Sequence, residues 1–435
     1  MARPTTTRSL RLPAGLLLYA LFVAFPIWWV LGLGAFVWPI LALPMLASLV
    51  LRRDVRAPRG FGIWLAFLVW MAGSALMLDE PTRGLVFIYR ASLYLSATIL
   101  FLYVYNSTEE QLPTGRILLA LGVFWAYVVA GGYLGVLFSE VSFSTPVESI
   151  VPGRFMANEW FSQLVHPRFA QIHDFLGYPV GRPAAPFVYT NEWGANFALL
   201  TPLLIASWSF IRRWGWRPIT IALLVASAVP IVMSLNRGLW LSLGLGLLYA
   251  SWRFALLGRG TAFGGVLLLF AVLGLVIAFT PLRELVADRL VTGHSNRARI
   301  SLASEAGEGV LQSPLLGYGS PRPSAENPNL PSVGTQGQLW LVLFSHGVPG
   351  ALFYVGWFAY VAWISRRGGS WATFWSHVTL VIVLLQLPYY GMLPSQIHVV
   401  MLASAIALRE RRAFTEAVEA TATAGERAPA AAGAG

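Results

Sequence analysis

A chain of 435 residues, 57% hydrophobic and only 11% charged, with a mean hydropathy of +0.65, is too apolar for an ordinary soluble domain and reads as an integral membrane protein. Its formal charge of +11 comes from 30 basic residues that are all arginine, as a GC-rich genome produces, and in a membrane protein their placement matters more than their sum, so the charge does not argue for nucleic acid. With no cysteine, disulfides, thiol nucleophiles and thiolate metal sites are excluded.

The chain starts like a signal sequence, with Arg3, Arg8 and Arg11 before AGLLLYALFVAF, but the apolar run continues through WWVLGLGAFVWPI without a small-residue cleavage site, so it is expected to remain as a first helix. A spanning helix needs ~20 apolar residues. Twelve segments qualify, near 13–31, 33–51, 60–78, 84–105, 117–138, 192–211, 218–235, 238–256, 262–281, 338–364, 371–390 and 396–408. The expected fold is therefore an all-α integral membrane protein of about 12 transmembrane helices, its polytopic domain covering 1–412. Segment 338–364 is long enough for a partly interfacial helix followed by a span. The remainder, 413–435, is low in complexity and expected to be a disordered cytoplasmic tail. No internal repeat is present.

The arginines between these segments sort by side. Arg52, Arg53, Arg56, Arg59, Arg116, Arg212, Arg213, Arg217, Arg253, Arg259, Arg366, Arg367, Arg409, Arg411 and Arg412 share one face, which the positive-inside rule assigns to the cytoplasm. Two polar segments rich in proline and glycine, about 139–191 and 282–337, fall on the other face as large outer loops. They break the bias by carrying Arg154, Arg168, Arg182, Arg283, Arg289, Arg297, Arg299 and Arg322. Arg237, in SLNRGLW at the turn between the seventh and eighth segments, joins that set.

Arginine suits a pyrophosphate because its planar fork donates paired hydrogen bonds and stays charged. Arg237, Arg297 and Arg299 are the leading candidates, with Arg182 next, although an interfacial turn or a solvated basic loop would account for the same residues. Arg90, some six residues inside the fourth segment, is a further candidate because an intramembrane charge is costly. Among six histidines, His294 in TGHSNRAR lies beside the arginines and is the first choice of general base, with His166 and His173 in the first loop. His346, His377 and His398 fall in or near spans, where packing or a hydrogen bond to another helix is expected. Glu192 in TNEWG, Glu305 and Glu308 are carboxylate alternatives, set against ordinary capping or solvation. No G-x-x-x-x-G-K-[ST] loop occurs, and no D-x-D pair, so neither an ATP-driven step nor metal-dependent transfer on an acidic first loop is indicated.

Four stretches together resemble the O-antigen ligase and O-antigen polymerase family of bacterial membrane glycosyltransferases. PFVYTNEWGANFALLTPL is similar to that family's loop-to-helix segment and places Asn191 and Pro202; SLNRGLWLSLG is similar to its serine-arginine-glycine turn and places Arg237. NRARISLASEAGEGVLQSPLLGYG resembles its arginine-bearing helix and proline-leucine-glycine turn, placing Arg299 and Gly317, and GTQGQLWLVLFSHGVPG resembles the segment that ends in paired glycines, placing Gly347 and Gly350. The register departs at one point, where the family's histidine falls on Gln336 and its asparagine neighbour on Gly337. Glutamine is no base near neutral pH.

The resemblance implies metal-independent transfer of a glycan from a polyprenyl-pyrophosphate donor to a glycan or lipid acceptor hydroxyl, without a cofactor, at the outer face of the bacterial cytoplasmic membrane. Arg237 and Arg299 would meet the pyrophosphate charge, His294 and Gln336 complete the catalytic set, and Arg182, Asn191, Glu192, Arg297 and Arg90 line the substrate. A repeat-unit polymerase of the same family is the alternative, and a lipid-linked glycan flippase is the alternative of another class.

Overall fold

The computed structural model describes residues 14–431 except 53, 174–178, 212–215, 280–293 and 326–330. The chain is mostly helical, in the order α1 (Ala14–Phe22), α2 (Phe25–Leu31), α3 (Val37–Val50), α4 (Phe61–Ser74, continued by a 3-10 turn to Met77), α5 (Pro81–Tyr105), α6 (Thr114–Leu137), α7 (Pro146–Ile150), α8 (Gly153–Met156), α9 (Glu159–Val165), α10 (Thr190–Ser207), α11 (Trp216–Ala226), α12 (Ala228–Met233), α13 (Arg237–Leu256), α14 (Gly260–Ala278), α15 (His294–Gln312), α16 (Gln338–Ser365), α17 (Trp371–Gln386) and α18 (Ser395–Ala431). Among the described residues five helical stretches are long and apolar enough to cross a membrane: α5, α6, Trp216–Met233, α13 and α16. Helices α3, α17 and the Phe61–Met77 stretch are apolar but shorter. This is the architecture of a multi-pass membrane protein.

Several expected segments take a different local form. The first, expected as one helix, breaks at Val23 and Ala24 because Pro26, in the first turn of α2, has no N–H to continue the ladder. The second starts only at Val37, after a left-handed turn at Gly32. The segment 338–364, long enough for two helical pieces, is indeed two helical stretches joined at a kink at Gly347, whose φ of 70° and ψ of −175° are non-helical; together they make up α16. Helix α18 continues to Ala431, through most of the segment read as a tail. The first outer loop carries, besides three short helices, an antiparallel hairpin of β1 (Ala170–His173) and β2 (Val180–Pro183), with Gln171 opposite Arg182.

Helix α10 is the central element, buried along most of its length against α6, α13, α17 and α18. That position explains its polar content. Asn196 bonds Ser395, Thr201 accepts from the Trp125 indole at 3.1 Å, and the Trp193 indole donates to the Val128 carbonyl at 2.8 Å, so these polar groups away from water have protein partners. Three buried histidines follow the same rule and cross-link helices as expected: His346 to Ser74 at 2.7 Å, His398 to Ser96 at 2.8 Å and His377 to Tyr249 at 2.6 Å.

Several of the arginines between the apolar segments meet backbone carbonyls of neighbouring elements. At one end of the bundle, Arg52 donates to the Asn106 carbonyl at 2.6 Å, Arg409 to the Leu112 carbonyl and Glu109 (both 2.8 Å), Arg411 to the Ile364 carbonyl at 2.6 Å and Arg253 to the Arg366 carbonyl at 2.5 Å. Arg52, Arg411 and Arg253 meet carbonyls at the C-terminal ends of α5 and α16, whose orphan carbonyls need donors, while Arg409 ties the loop between α5 and α6. At the opposite end lie both loop regions. Gly131 of α6 permits the first loop to lie directly on the helix, for a Cβ there would stand 2.5 Å from the Ala185 carbonyl carbon.

Within that loop Thr145 and Glu148 form a capping box at the start of α7, and His166 Nδ1 lies 2.9 Å from Glu148 Oε2. Burial pushes the Glu148 carboxyl up, but His166 and the Thr145 amide outweigh it and hold it below the usual carboxylate range. A depressed folded pKa stabilises above the unfolded value and is lost as pH falls through the folded one. The loop is therefore expected to stay docked at neutral pH and to loosen below roughly pH 4, beneath the ordinary glutamate value. Hydrogen exchange of residues 145–166 against pH measures this, and the acid-side loosening should vanish in Glu148→Gln.

Candidate functional site

At the loop-bearing end, elements far apart in sequence are tied by one run of hydrogen bonds. Arg182 in β2 is buried, and its Nε donates to the Ser234 carbonyl at 2.6 Å. Thr190, at the start of α10, donates to the Arg182 carbonyl at 3.2 Å, and its own N–H is received by Gln171 of β1 at 2.8 Å. Asn236 donates to the Thr190 carbonyl at 3.1 Å while its Oδ1 caps α13, accepting from Leu239 N at 3.4 Å, and receives the Tyr390 hydroxyl. The Tyr390 carbonyl accepts from Gln338 N at 2.7 Å, and the fully buried Gln338 side chain donates to Tyr94 of α5 at 2.6 Å and accepts from Met392 N at 2.9 Å.

This run joins three of the four stretches singled out in the sequence: the TNEWG start of α10, the SLNRG turn and the GQLW start of α16. Arg237 is the first residue of α13 and stands half-buried beside that junction. Its neighbour Gly238 leaves room for Tyr390, whose hydroxyl would be 2.7 Å from a Cβ there.

The fourth stretch meets the same helix by another contact. The LLGYGS turn lies across the bend of α16, with Tyr318 N donating to the Phe344 carbonyl at 2.9 Å and Gly319 N to the Ser345 carbonyl at 2.8 Å. Gly317 and Gly347 both have positive φ, and the two backbones pass too close for side chains. The buried Arg83, at the start of α5, receives this turn. It donates to the carbonyls of Tyr318 at 2.7 Å, Ser320 at 2.6 Å and Pro321 at 3.3 Å, and pairs with Asp79, which also holds Arg322 at 2.6 Å. Arg83→Ala would strand three carbonyls, at ~1–3 kcal/mol for each buried acceptor left unpaired. The expected outcome is faster limited proteolysis within 313–337 and a lower melting temperature.

Of the predicted residues, Arg182, Asn191, Glu192 and Arg237 are gathered around the start of α10. Arg182 is committed to the Ser234 carbonyl and positions the turn before Arg237. Gln336 precedes α16 and bonds the Ser332 carbonyl at 3.3 Å. Arg90 does not reach water with its whole guanidinium: Nη1 is enclosed without a hydrogen-bond partner, one helical turn before Tyr94. His294, Arg297 and Arg299 belong to the first two turns of α15, and their side chains lie outside the described residues.

Four residues of the junction were not singled out from the sequence: Thr190, Asn236, Gln338 and Tyr390. Asn236 stands next to Arg237 in the SLNRG turn, and Gln338 is the first residue of an apolar segment, where an amide is costly unless bonded. That cost was the available signal for Gln338.

No family model matches the chain. A search of curated proteins likewise finds no match. A guanidinium at the N-terminus of α13, where helix amides also favour negative charge, at the wet end of an apolar bundle, suits an anionic group whose apolar tail lies alongside the helices.

Proposed function

We propose that the protein is a membrane glycosyltransferase that moves a glycan from a polyprenyl-pyrophosphate donor to an acceptor hydroxyl at the outer face of the bacterial cytoplasmic membrane. In this reading twelve segments cross the bilayer and the arginine-rich end faces the cytoplasm. The observation that supports it is the meeting of three remote stretches at the junction of Arg182, Thr190, Asn236, Gln338 and Tyr390, next to Arg237 and opposite the basic end.

The acceptor oxygen attacks the anomeric carbon while the bond from that carbon to phosphate breaks, and the electron pair leaves with the polyprenyl pyrophosphate. Arg237 and Arg299 meet the charge that develops on the leaving group, as preorganised donors do, so the step draws on arginine forks in place of a metal. Asn191 and Arg90 line the substrate path. The position of the junction at helix ends favours a transferase over a flippase, whose site usually lies near the bilayer midplane.

The test uses purified protein in lipid with a polyprenyl-pyrophosphate glycan, candidate acceptors and a chelator, and follows the sugar. Transfer to a new carrier identifies a ligase, and longer chains still on polyprenyl identify a polymerase. No covalent product, with donor moving across the bilayer, would replace this reading with transport.

A further inference from the structure

On the side of α10 toward the first loop is a small cavity, about 30 Å³, between α2, α9, the start of α10 and the turn before α18. Trp29 and Phe187 form an apolar wall, and Gln163, Arg168, Glu192 and Ser395 supply the polar groups. Its size decides what it can take. At ~10–15 Å³ for each water-sized group, it holds two or three such groups, which is one hydroxyl-bearing edge of a sugar and not a pyrophosphate with its lipid.

Glu192 and Arg168 both line this space, yet among the described residues no ion pair joins either of them to a partner. The Glu192 Oε2 is held by the Val188 amide at 3.2 Å, and Gln163 is fixed by the Tyr189 hydroxyl at 2.7 Å and by Glu159 at 2.9 Å. A carboxyl and a guanidinium that line one cavity with no ion pair between them among the described residues leave hydrogen-bonding capacity for a third group. An aromatic wall with such groups at its rim matches a sugar, whose C–H face is apolar and whose edge carries hydroxyls. Glu192 also follows Thr190 by two residues, and Thr190 is bonded to the Asn236 that precedes Arg237, so the cavity and the arginine flank the first turn of α10.

We propose that this cavity seats the acceptor's reacting hydroxyl and that Glu192 takes its proton, a deepening that rests on the transferase reading above. As the acceptor oxygen bonds to the anomeric carbon and the phosphate oxygen departs with its electron pair, the hydroxyl proton moves to a Glu192 oxygen and from there to water. Arg168 and Gln163 hold the neighbouring hydroxyls against Trp29. This gives the reaction a base although the family's histidine position holds glutamine.

The experiment compares wild type, Glu192→Gln, Trp29→Ala and Arg168→Ala in lipid, reading transfer, donor binding and acceptor KM. Glu192→Gln keeps the Val188 hydrogen bond and is expected to bind donor normally but to transfer ~10²-fold or more slowly, the usual worth of a general base. Its acid-side fall in rate should disappear, with Tyr89 and Tyr189 the titratable groups that feel this carboxyl, Arg168 on the same cavity wall and Glu159 acting on Tyr189. Trp29→Ala and Arg168→Ala should raise the acceptor KM more than they lower kcat. Glu192→Gln with a wild-type rate and pH profile overturns the proposal, as does an unchanged acceptor KM in both other variants. Wild type without transfer overturns the transferase reading itself, and so the two failures are distinct.

Discussion

Gly347→Ala is expected to cause a large loss of stability for a single added methyl group. At φ 70° and ψ −175°, Gly347 occupies a backbone region open essentially to glycine alone, which costs another residue ~1–3 kcal/mol. An added Cβ would also stand 2.6 Å from the Pro314 carbonyl oxygen, part of the backbone that crosses α16 there. Neither partner can yield cheaply, because the crossing backbone is itself bonded to Phe344 and Ser345. A combined cost of at least ~3 kcal/mol follows from strain and overpacking together. Thermal melting of the purified protein measures it, with Gly356→Ala as control. That glycine lies in the same helix, and a Cβ there meets only Ile63 at 3.6 Å, ordinary contact. Equal melting temperatures for the two variants would show that the backbone crossing is not as tight as described.

The second large effect falls on activity. Arg237→Ala is expected to lower transfer by ~10²–10³-fold, the ~2.7–4 kcal/mol that one preorganised donor to a developing oxyanion contributes. Melting should change little, because the turn before α13 is fixed by Arg182, Asn236 and Tyr390. Arg237→Lys keeps the charge without the fork, so an intermediate rate is expected if two oxygens of one phosphate are held together. Arg299→Ala should show a similar loss. Near-normal turnover in both alanine variants would remove the arginines from the chemistry and with them the proposed leaving-group role.

Asn236 and Arg237 show how differently neighbouring residues can be read. Arg237 stood out in the sequence because a charge at the edge of an apolar run has a desolvation cost that needs a reason. Asn236 carries no such flag, for asparagine is common in turns, yet it is Asn236 that bonds α10, α13 and the Tyr390 turn together. Its importance comes from partners 46 and 154 residues away.

The membrane class and the helical content were legible from residue order alone, because hydropathy and the absence of a backbone N–H in proline act locally. Arg237, Glu192 and Arg182 were visible for the same reason: charge in an apolar setting is conspicuous without knowing its neighbours. The folded arrangement was needed to see that Arg182 serves the Ser234 carbonyl, that Gln338 is a buried hub, that Arg83 grips the Gly317 turn and that Glu192 and Arg168 line one cavity. Hydrogen bonds and cavities between remote segments depend on distances of a few ångströms across the fold, which no local periodicity encodes.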